Sequence, residues 1–409
     1  MKHLSLSKLE NIQTPFYLFD VHHLNNQIDC IKNAFNKYWH NYVIAYSLKT
    51  NSLPSLCKQM LLQKNVMAEV VSEDEYNLAR SVGFNANNIV CNGPIKSESW
   101  LISIVESSSI LNIDSKSEVS FLCDYASKHP LQTIKIGIRV NNDIEDIFPH
   151  ASTAGVNGSR FGFSYESGEL GRIINILSSY SNVKVAGLHL HTSTNLRSLD
   201  VYDYLSECFC QIVNQFKLSD IEYFDIGGGF YGEVPGKPNW DDYLKAISVK
   251  LNSKGYSPEK LKLIIEPGVS LLAGCFSYYC RVTDTKDTMR MRFVQLDGTR
   301  LHVDPLMHKT IHSYFYEIEQ ACLNSTIIPA QTLVGNTCLE YDTLFTLNEY
   351  PELKKGDLIR FDKIGAYTMT LSPLFITWFP LVLQISDDDS IEVARERWKV
   401  EEFLQKSNL

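Results

Sequence analysis

Short apolar runs rich in β-branched residues recur along the N-terminal part of the chain, and polar or glycine residues follow each of them. Runs that are apolar at every position are typical of parallel strands buried on both faces. Segments with helical spacing separate these runs, such as residues 73–80 after the capping residue Ser72. The eight predicted strands are Val43–Leu48, Met67–Val71, Asn88–Asn92, Ile110–Asp114, Lys135–Val140, Val185–Thr192, Tyr223–Gly227 and Leu261–Pro267.

Eight strands that alternate with helices predict an α/β fold with a (β/α)8 barrel, and an open doubly wound sheet is the alternative. From Phe276 onward, strands and tight turns predict a β-rich domain. The run Thr14–Asp20 has no barrel helix before it, so we expect it to pair in that second domain. The predicted boundaries are 23–275 for the barrel, and 1–22 with 276–409 for the β-rich domain. The clearest strands after the barrel are Phe276–Val282, Arg292–Asp297, Gln331–Val334 and Leu358–Phe361.

The composition excludes several classes of function. The 409 residues are 44% hydrophobic, which is enough for a sizeable core, and the net charge is −9 with no block of Lys or Arg. The electrostatic signature of binding to nucleic acid or to an anionic membrane is therefore missing, and a small-molecule or protein partner is favoured.

The sequence also predicts a soluble, cytoplasmic protein. The N-terminus has no signal-peptide pattern, and the apolar stretch Ser372–Ile385 contains two prolines and is too short to span a membrane. Ten scattered cysteines form no CxxC pair, so we expect most of them to be reduced and buried.

Catalytic groups of a (β/α)8 barrel lie at the C-terminal ends of its strands, and here those ends carry polar residues. The first strand runs into Lys49, where a desolvated amine would be a good nucleophile. A lysine that extends to solvent is the structural alternative. Gly227–Gly229 follow the seventh strand and leave backbone N–H groups bare for a phosphate, although a tight turn needs the same residues.

Two further positions have both a chemical and a structural interpretation. Glu266 ends the eighth strand, where a carboxylate needs a cation: a protonated ring nitrogen or a neighbouring strand's side chain. His189 and His191 are two apart, so they share a face of the sixth strand and suit a divalent metal, as in barrel hydrolases. A metal site would need further ligands, and strands seven and eight offer no further His or clearly placed Asp. His191 suits stacking on a flat cofactor equally well.

Taken in order, these motifs resemble those of the fold-type III decarboxylases that depend on pyridoxal 5'-phosphate (PLP), the family of diaminopimelate and ornithine decarboxylases. The resemblance covers nearly the whole chain, and it implies an alanine-racemase-like barrel with PLP as the cofactor. The matching segments are Ala45–Asn51, Asn92–Lys96, Ser159–Gly162, His189–His191, Gly227–Phe230, Glu266–Gly268, Gly335–Cys338 and Gly365–Tyr367.

The resemblance implies a role for each matching residue. It implies that Lys49 binds PLP covalently, that His191 stacks on the cofactor ring and that Glu266 holds the ring nitrogen. It also implies that Cys338 is catalytic, on a loop that the partner subunit of a homodimer inserts into the active site. The other cofactor-binding residues that we expect are Arg139, Thr194, Gly227, Gly228, Gly229, Gly268 and Tyr367.

The chain departs from the family pattern at two positions that face the substrate. Val269 stands where the family has an arginine, and Leu339 stands where it has an acid. The pocket then lacks partners for a distal carboxylate and a distal ammonium, so we expect the substrate not to be diaminopimelate, lysine or ornithine. Replacement substrate contacts are predicted at Glu340, Asp342, Arg300 and Arg197.

These features predict PLP-dependent decarboxylation of an amino acid or an amino-acid conjugate in a biosynthetic pathway. An amino-acid racemase on the same barrel and a catalytically inactive decarboxylase-like regulator are the rivals, and a metal hydrolase is more distant. Racemases of this architecture use a tyrosine from the partner, so the Cys338 loop favours decarboxylation. An inactive regulator is disfavoured by the retained residues Lys49, His191, Glu266 and Cys338.

Overall fold

The computed structural model describes residues 12–155, 157–320 and 326–407. The chain divides into two compact units. One unit is Ile28–Ser270, and the other joins the segment up to Gln27 to the chain from Leu271 onward. Within the described residues, no helix is both long enough and apolar enough to cross a membrane.

The first unit is a closed barrel of eight parallel strands. These strands are β1 (Tyr42–Ser47), β2 (Val66–Val70), β3 (Ile89–Cys91), β4 (Ile110–Ile113), β5 (Ile134–Asn141), β6 (Val183–His189), β7 (Tyr223–Asp225) and β8 (Lys262–Ile265). Each strand pairs with the next, and β8 pairs with β1, so the sheet closes into a ring. The short strand Phe163–Ser164 adds to the end of β5. The predicted (β/α)8 barrel is confirmed, and ring closure excludes the open sheet.

Helices alternate with the barrel strands. They are Val21–Tyr38, Pro54–Leu61, Glu73–Val82, Glu98–Ser107, Lys116–Lys128, Glu169–Ser178, Leu199–Gln215 and Trp240–Ser253. Ser72 caps the third of these as the sequence predicts, because its hydroxyl accepts a hydrogen bond from the Glu75 N–H at 3.2 Å. Gly83 ends the same helix in the left-handed region at φ 120°.

Seven of the barrel strands end one to three residues earlier than predicted. β6 ends at His189 and β8 ends at Ile265, so His191 and Glu266 lie on the loops that follow. The prediction that both histidines lie on one strand is therefore wrong. The backbone leaves the sheet after Leu190, whose N–H makes a bond of 2.8 Å to the Asp225 carbonyl.

The described part of the second unit contains a nine-stranded sheet and three short helices. Phe16–Asp20 pairs antiparallel with Phe276–Asp287 and parallel with Leu381–Ile385, which confirms that it pairs in the β-rich part of the chain. The other strands are Arg292–Leu296, Phe315–Glu319, Ile327–Val334, Thr343–Pro351, Leu358–Asp362 and Ile391–Arg395. The helices are Val269–Leu272, which begins at the end of the barrel unit, Arg300–Val303 and Val400–Leu404.

Candidate active site

A lysine and a buried glutamate form an ion pair where β1 and β2 end. Lys49 lies in the short 3-10 turn Leu48–Thr50, and its Nζ is 2.6 Å from Glu69 Oε2 and 2.7 Å from Ser47 Oγ. The Lys49 side chain is 38% exposed, so the prediction of a buried, desolvated amine is wrong. The turn places the amine on the rim of the barrel, where water and a carboxylate both reach it.

Glu69 is a site residue that the sequence analysis missed. Burial alone would raise the pKa of this carboxyl, but Lys49 and the hydrogen bonds from Ser47 and Asn92 outweigh burial and hold the pKa below its usual value. Glu69 is therefore ionised at neutral pH. Its signal in the sequence is a lone acid within the otherwise apolar strand β2.

Glu266 directly contacts an amide and an imidazole, and the cation Lys49 acts on it only through its charge. Asn92 Nδ2 donates to Glu266 Oε1 at 2.5 Å, and His189 Nε2 lies 3.6 Å from Glu266 Oε2. Burial, with Arg139 adding to it, lowers the pKa of His189 well below its usual value, so that ring is neutral. Burial, Asp225 and Glu69 together raise the pKa of Glu266 well above its usual value.

Asp225, at the end of β7, forms an acid pair with Glu266. Burial raises the pKa of Asp225 to about 7, against hydrogen bonds from Glu266 and the Gly227 N–H that lower it. Its Oδ1 accepts from Gly227 N at 3.0 Å, and its Oδ2 accepts from Asn112 Nδ2 at 3.3 Å. The pair therefore keeps a proton near neutral pH, which suits a base such as a ring nitrogen.

Asp225 corrects the prediction that no aspartate is placed to complete a metal site with the histidines. His189, Asp225 and Glu266 have side-chain nitrogen and oxygen atoms within 4.8 Å of one another. Strand seven thus does supply the placed aspartate that the sequence analysis found lacking. We assign no metal to this group, because the acid pair and the ring nitrogen of a cofactor explain it as well.

The glycine run after β7 is required by space. Gly227 and Gly229 have φ of 71° and 89°, and a Cβ added to Gly228 would overlap the backbone oxygen of Glu266. The Gly228 N–H is not bare as predicted, because it donates to His191 Nδ1 at 3.1 Å. Burial lowers the pKa of His191 to about 3, so this imidazole is neutral.

Arg139, at the end of β5, lines a cavity beside His191. Its Nη1 is 3.3 Å from Asp114 Oδ2, and its guanidinium carbon lies 4.6 Å from the centre of the Phe161 ring. Gly162 has φ of 76° and donates its N–H to Asp114 Oδ1 at 3.1 Å. The cavity has a volume of about 720 Å³.

Three other predicted residues of the barrel unit have local partners. Thr194 is buried, and its hydroxyl accepts a hydrogen bond from Arg197 N at 3.0 Å. The Arg197 guanidinium carbon lies 5.7 Å from the centre of the Tyr231 ring. A Cβ on Gly268 would lie 2.5 Å from Thr50 Oγ1, so the close approach of the two loops requires glycine.

Cys338 lies in the second unit, on the loop between the strands Ile327–Val334 and Thr343–Pro351. Nine cysteines belong to the described residues, and six are buried, whereas Cys338 and the nearby Glu340 are exposed. Asp342 is buried, and its carboxylate accepts hydrogen bonds that stabilise this loop instead of pointing to solvent. Its donors are Thr299 Oγ1 at 2.9 Å, Arg300 N at 2.8 Å, Thr337 N at 3.1 Å and Thr337 Oγ1 at 2.7 Å.

The guanidinium of Arg300 is engaged within the second unit. Its Nη2 donates to Asp304 at 2.7 Å and to the Lys309 carbonyl at 3.1 Å, and its Nη1 donates to the Thr343 carbonyl at 3.0 Å. This network favours a structural role for Arg300. Tyr367, in contrast, is 38% exposed and has φ of 55°.

A family model described as pyridoxal-dependent decarboxylase, pyridoxal binding domain, matches residues 21–273 of this chain. The chain belongs to the pyridoxal-dependent decarboxylases. As a member of this family it is a carboxy-lyase with PLP as its cofactor. The resemblance that the motifs indicate is thus confirmed.

Curated relatives and solved structures of this decarboxylase family cover nearly the whole chain. The diaminopimelate decarboxylase of Bacteroides thetaiotaomicron is 26% identical over 376 residues, 88% of this chain and 92% of that protein. The structure of the Helicobacter pylori diaminopimelate decarboxylase complexed with L-lysine matches with a TM-score of 0.82 at 25% identity, over 98% of both chains. The Paramecium bursaria Chlorella virus arginine decarboxylase, at 20% identity and a TM-score of 0.75 over 91% of this chain and 96% of its own, shows the fold alone.

Proposed function

We propose that this enzyme decarboxylates an amino acid or an amino-acid conjugate other than diaminopimelate, lysine or ornithine. One observation carries the proposed cofactor site. The rim of the barrel combines the Lys49–Glu69 ion pair and the proton-holding pair Asp225–Glu266 with a glycine loop. At Gly228 this loop packs against its neighbours too closely for a Cβ. An amine, a proton-bearing acid and a phosphate cradle are the three contacts that PLP needs, so these residues fit the cofactor.

We assign roles to the residues on this basis. Lys49 holds PLP covalently, Glu266 contacts the ring nitrogen and His191 covers one face of the ring. When bound, PLP accepts the electrons released as the bond from Cα to the carboxylate breaks. The remaining proposed cofactor contacts are Arg139, Thr194, Gly227, Gly228, Gly229, Gly268 and Tyr367.

The chain's own groups handle the protons. Glu69 Oε2, at 2.6 Å, can accept a proton from Lys49 Nζ and return it. The Asp225–Glu266 pair keeps a proton where the ring nitrogen is proposed to lie. We propose that the thiol of Cys338 returns a proton to the substrate Cα after carbon dioxide has left, whereas racemases of this architecture use a tyrosine from the partner.

The proposed substrate class rests on the two departures from the family pattern. Val269 is 37% exposed and begins the helix Val269–Leu272, and Leu339 is half-buried. Asp342 and Arg300 are engaged in their own unit, which leaves Glu340 and Arg197 as the better candidates for substrate contacts. The cavity of about 720 Å³ beside His191 is large enough for a conjugated amino acid.

We also propose a homodimer with shared active sites, in which the Cys338 loop completes the site of the partner. A cytoplasmic location, and the lack of nucleic-acid or membrane partners, stay predictions from the sequence.

A screen of carbon dioxide release tests the proposal. The PLP-loaded enzyme is assayed with diaminopimelate, lysine, ornithine and amino acids acylated at the distal amine, and we expect turnover of the conjugates. The matched variant Val269→Arg with Leu339→Glu restores both family residues and should gain activity on diaminopimelate. A wild-type kcat/KM near roughly 10⁴ M⁻¹s⁻¹ on any of the three free amino acids would contradict the proposed substrate class.

A further inference from the structure

A chain of hydrogen bonds crosses the interior of the barrel and ends on two acids. Tyr223 OH donates to Asn112 Oδ1 at 2.8 Å, and Asn112 Nδ2 donates to Asn92 Oδ1 at 2.9 Å. Asn92 Nδ2 then donates to both Glu69 Oε1 at 3.1 Å and Glu266 Oε1 at 2.5 Å. All five residues are buried. A single amide group therefore links the acid beside Lys49 with the acid proposed for the ring nitrogen.

The direction of this chain is fixed by its ends. The Tyr223 hydroxyl supplies the first hydrogen, and an ionised carboxylate can only accept. If the Asn92 amide were flipped, its carbonyl oxygen would face Glu69 Oε1, and the ionised Glu69 has no hydrogen to place between them. Both hydrogens of Asn92 Nδ2 are thus committed to the two acids, and its carbonyl is committed to Asn112.

The neighbouring strands leave room for the chain of bonds. A Cβ on Gly137 of β5 would overlap both Asn112 Oδ1 and the Tyr223 hydroxyl. A Cβ on Gly187 of β6 would overlap the Tyr223 ring. Close packing against Tyr223 therefore requires glycine at both positions. A side chain at either position would displace the Tyr223 hydroxyl, the first donor in the chain of hydrogen bonds.

We propose that Asn92 is a positioning residue that holds the carboxyl groups of Glu69 and Glu266 in place and makes Glu266 Oε1 an acceptor. The proton of Glu266 is then confined to Oε2, the oxygen nearer to His189. Without the amide, two buried acids lose their shared donor, and Glu266 can rotate away from its site. The inference rests on the proposed function, because it assumes that Glu266 contacts PLP.

A double-mutant cycle on PLP binding tests this role. The PLP dissociation constant is measured by titrating the PLP-free protein, for Asn92→Ala in the wild-type background and in the Glu266→Gln background. We expect Asn92→Ala to weaken binding at least roughly tenfold in the wild type, because it leaves two buried acids without their shared donor. In the Glu266→Gln background we expect a smaller change, of less than about threefold, because only the bond from Asn92 to Glu69 remains to be lost.

Two further variants make the result decisive. Asn41→Ala removes a different amide bond, 2.9 Å long, to the Pro258 carbonyl at the opposite end of β1, and should leave PLP affinity unchanged. Asn92→Asp keeps the shape of the side chain but loses a donor, so it should also weaken binding about tenfold, whether or not Asn92→Ala folds.

Wild-type affinity in Asn92→Asp, or an equal loss in both backgrounds, would overturn the inference and leave a merely structural residue. Failure of the proposed function looks different, because Glu266→Gln alone would then leave PLP affinity unchanged.

Discussion

Asp225 should make the stability of the PLP-free protein fall as pH rises. The pKa of this carboxyl is raised from 3.8 to about 7, chiefly by burial. The negative charge of Glu69 adds to the shift, and the hydrogen bonds from Glu266, Gly227 and Asn112 oppose it. The perturbation is a change of pH, and the variant Asp225→Asn removes the titrating group.

The direction of this pH dependence follows from the number of protons that Asp225 binds in the folded and the unfolded chain. Below pH 3.8 the carboxyl is protonated in the folded and unfolded chain alike, so it makes no difference to the free energy of unfolding. Between that pH and about 7 the unfolded chain has lost the proton and the folded chain keeps it, so the free energy of unfolding decreases. About 3 pH units correspond to a total loss of roughly 4 kcal/mol, complete above pH 7.

Urea unfolding of the reduced, PLP-free protein between pH 4.5 and pH 8 measures this effect. The free energy of unfolding of Asp225→Asn minus that of the wild type should increase with pH. Asp241→Asn is the control, since Asp241 is an exposed acid whose pKa is lowered by a hydrogen bond from Lys37. It should show no such increase. A difference for Asp225→Asn that is flat or decreasing between pH 5 and pH 7 would refute the reasoning.

Three further predictions concern the cofactor, the assembly and the glycine loop. The wild type should show a visible absorbance band of covalently bound PLP that borohydride removes, and Lys49→Ala should lack this band. Covalent PLP in this variant would disprove the assignment of Lys49 as the PLP-binding lysine. Inactive Lys49→Ala and Cys338→Ala subunits, mixed and shown to exchange, should regain activity through one intact site per heterodimer; no recovery would exclude shared sites. Gly228→Ala should cost about 1–3 kcal/mol of stability and weaken PLP binding, because its Cβ overlaps the Glu266 backbone; wild-type melting temperature and affinity would contradict this.

The sequence predicts the barrel well because each of its strands is a short run of mostly apolar residues. It predicts the second unit less well. Strands such as Phe315–Glu319 and Ile391–Arg395 mix exposed and half-buried residues, so their apolar pattern is weak. Sequence position alone also gave Lys49 the wrong environment, because Leu48 and Thr50 of the same turn are buried whereas the Lys49 side chain reaches the surface.

The contacts among the interior acids and amides escaped prediction for a different reason. Asn92 and Glu266 are 174 residues apart in the chain, and no local pattern connects them. Glu69 and Asp225 each look like a single charge in an apolar strand until the ring closes and brings both beside Glu266. The family motifs located Glu266 but gave no information about what fixes its orientation.

Gly137 and Gly187 should restrict how the sequence of this barrel has evolved. Gly137, Gly187 and Tyr223 lie on three different strands, yet a Cβ at either glycine would occupy the space of the tyrosine. Substitutions at these three sites should therefore be correlated among related sequences. We expect relatives with a larger residue at either glycine position to carry a residue smaller than tyrosine at the third. Such lineages would need another donor for Asn112, or would have lost the asparagine as well.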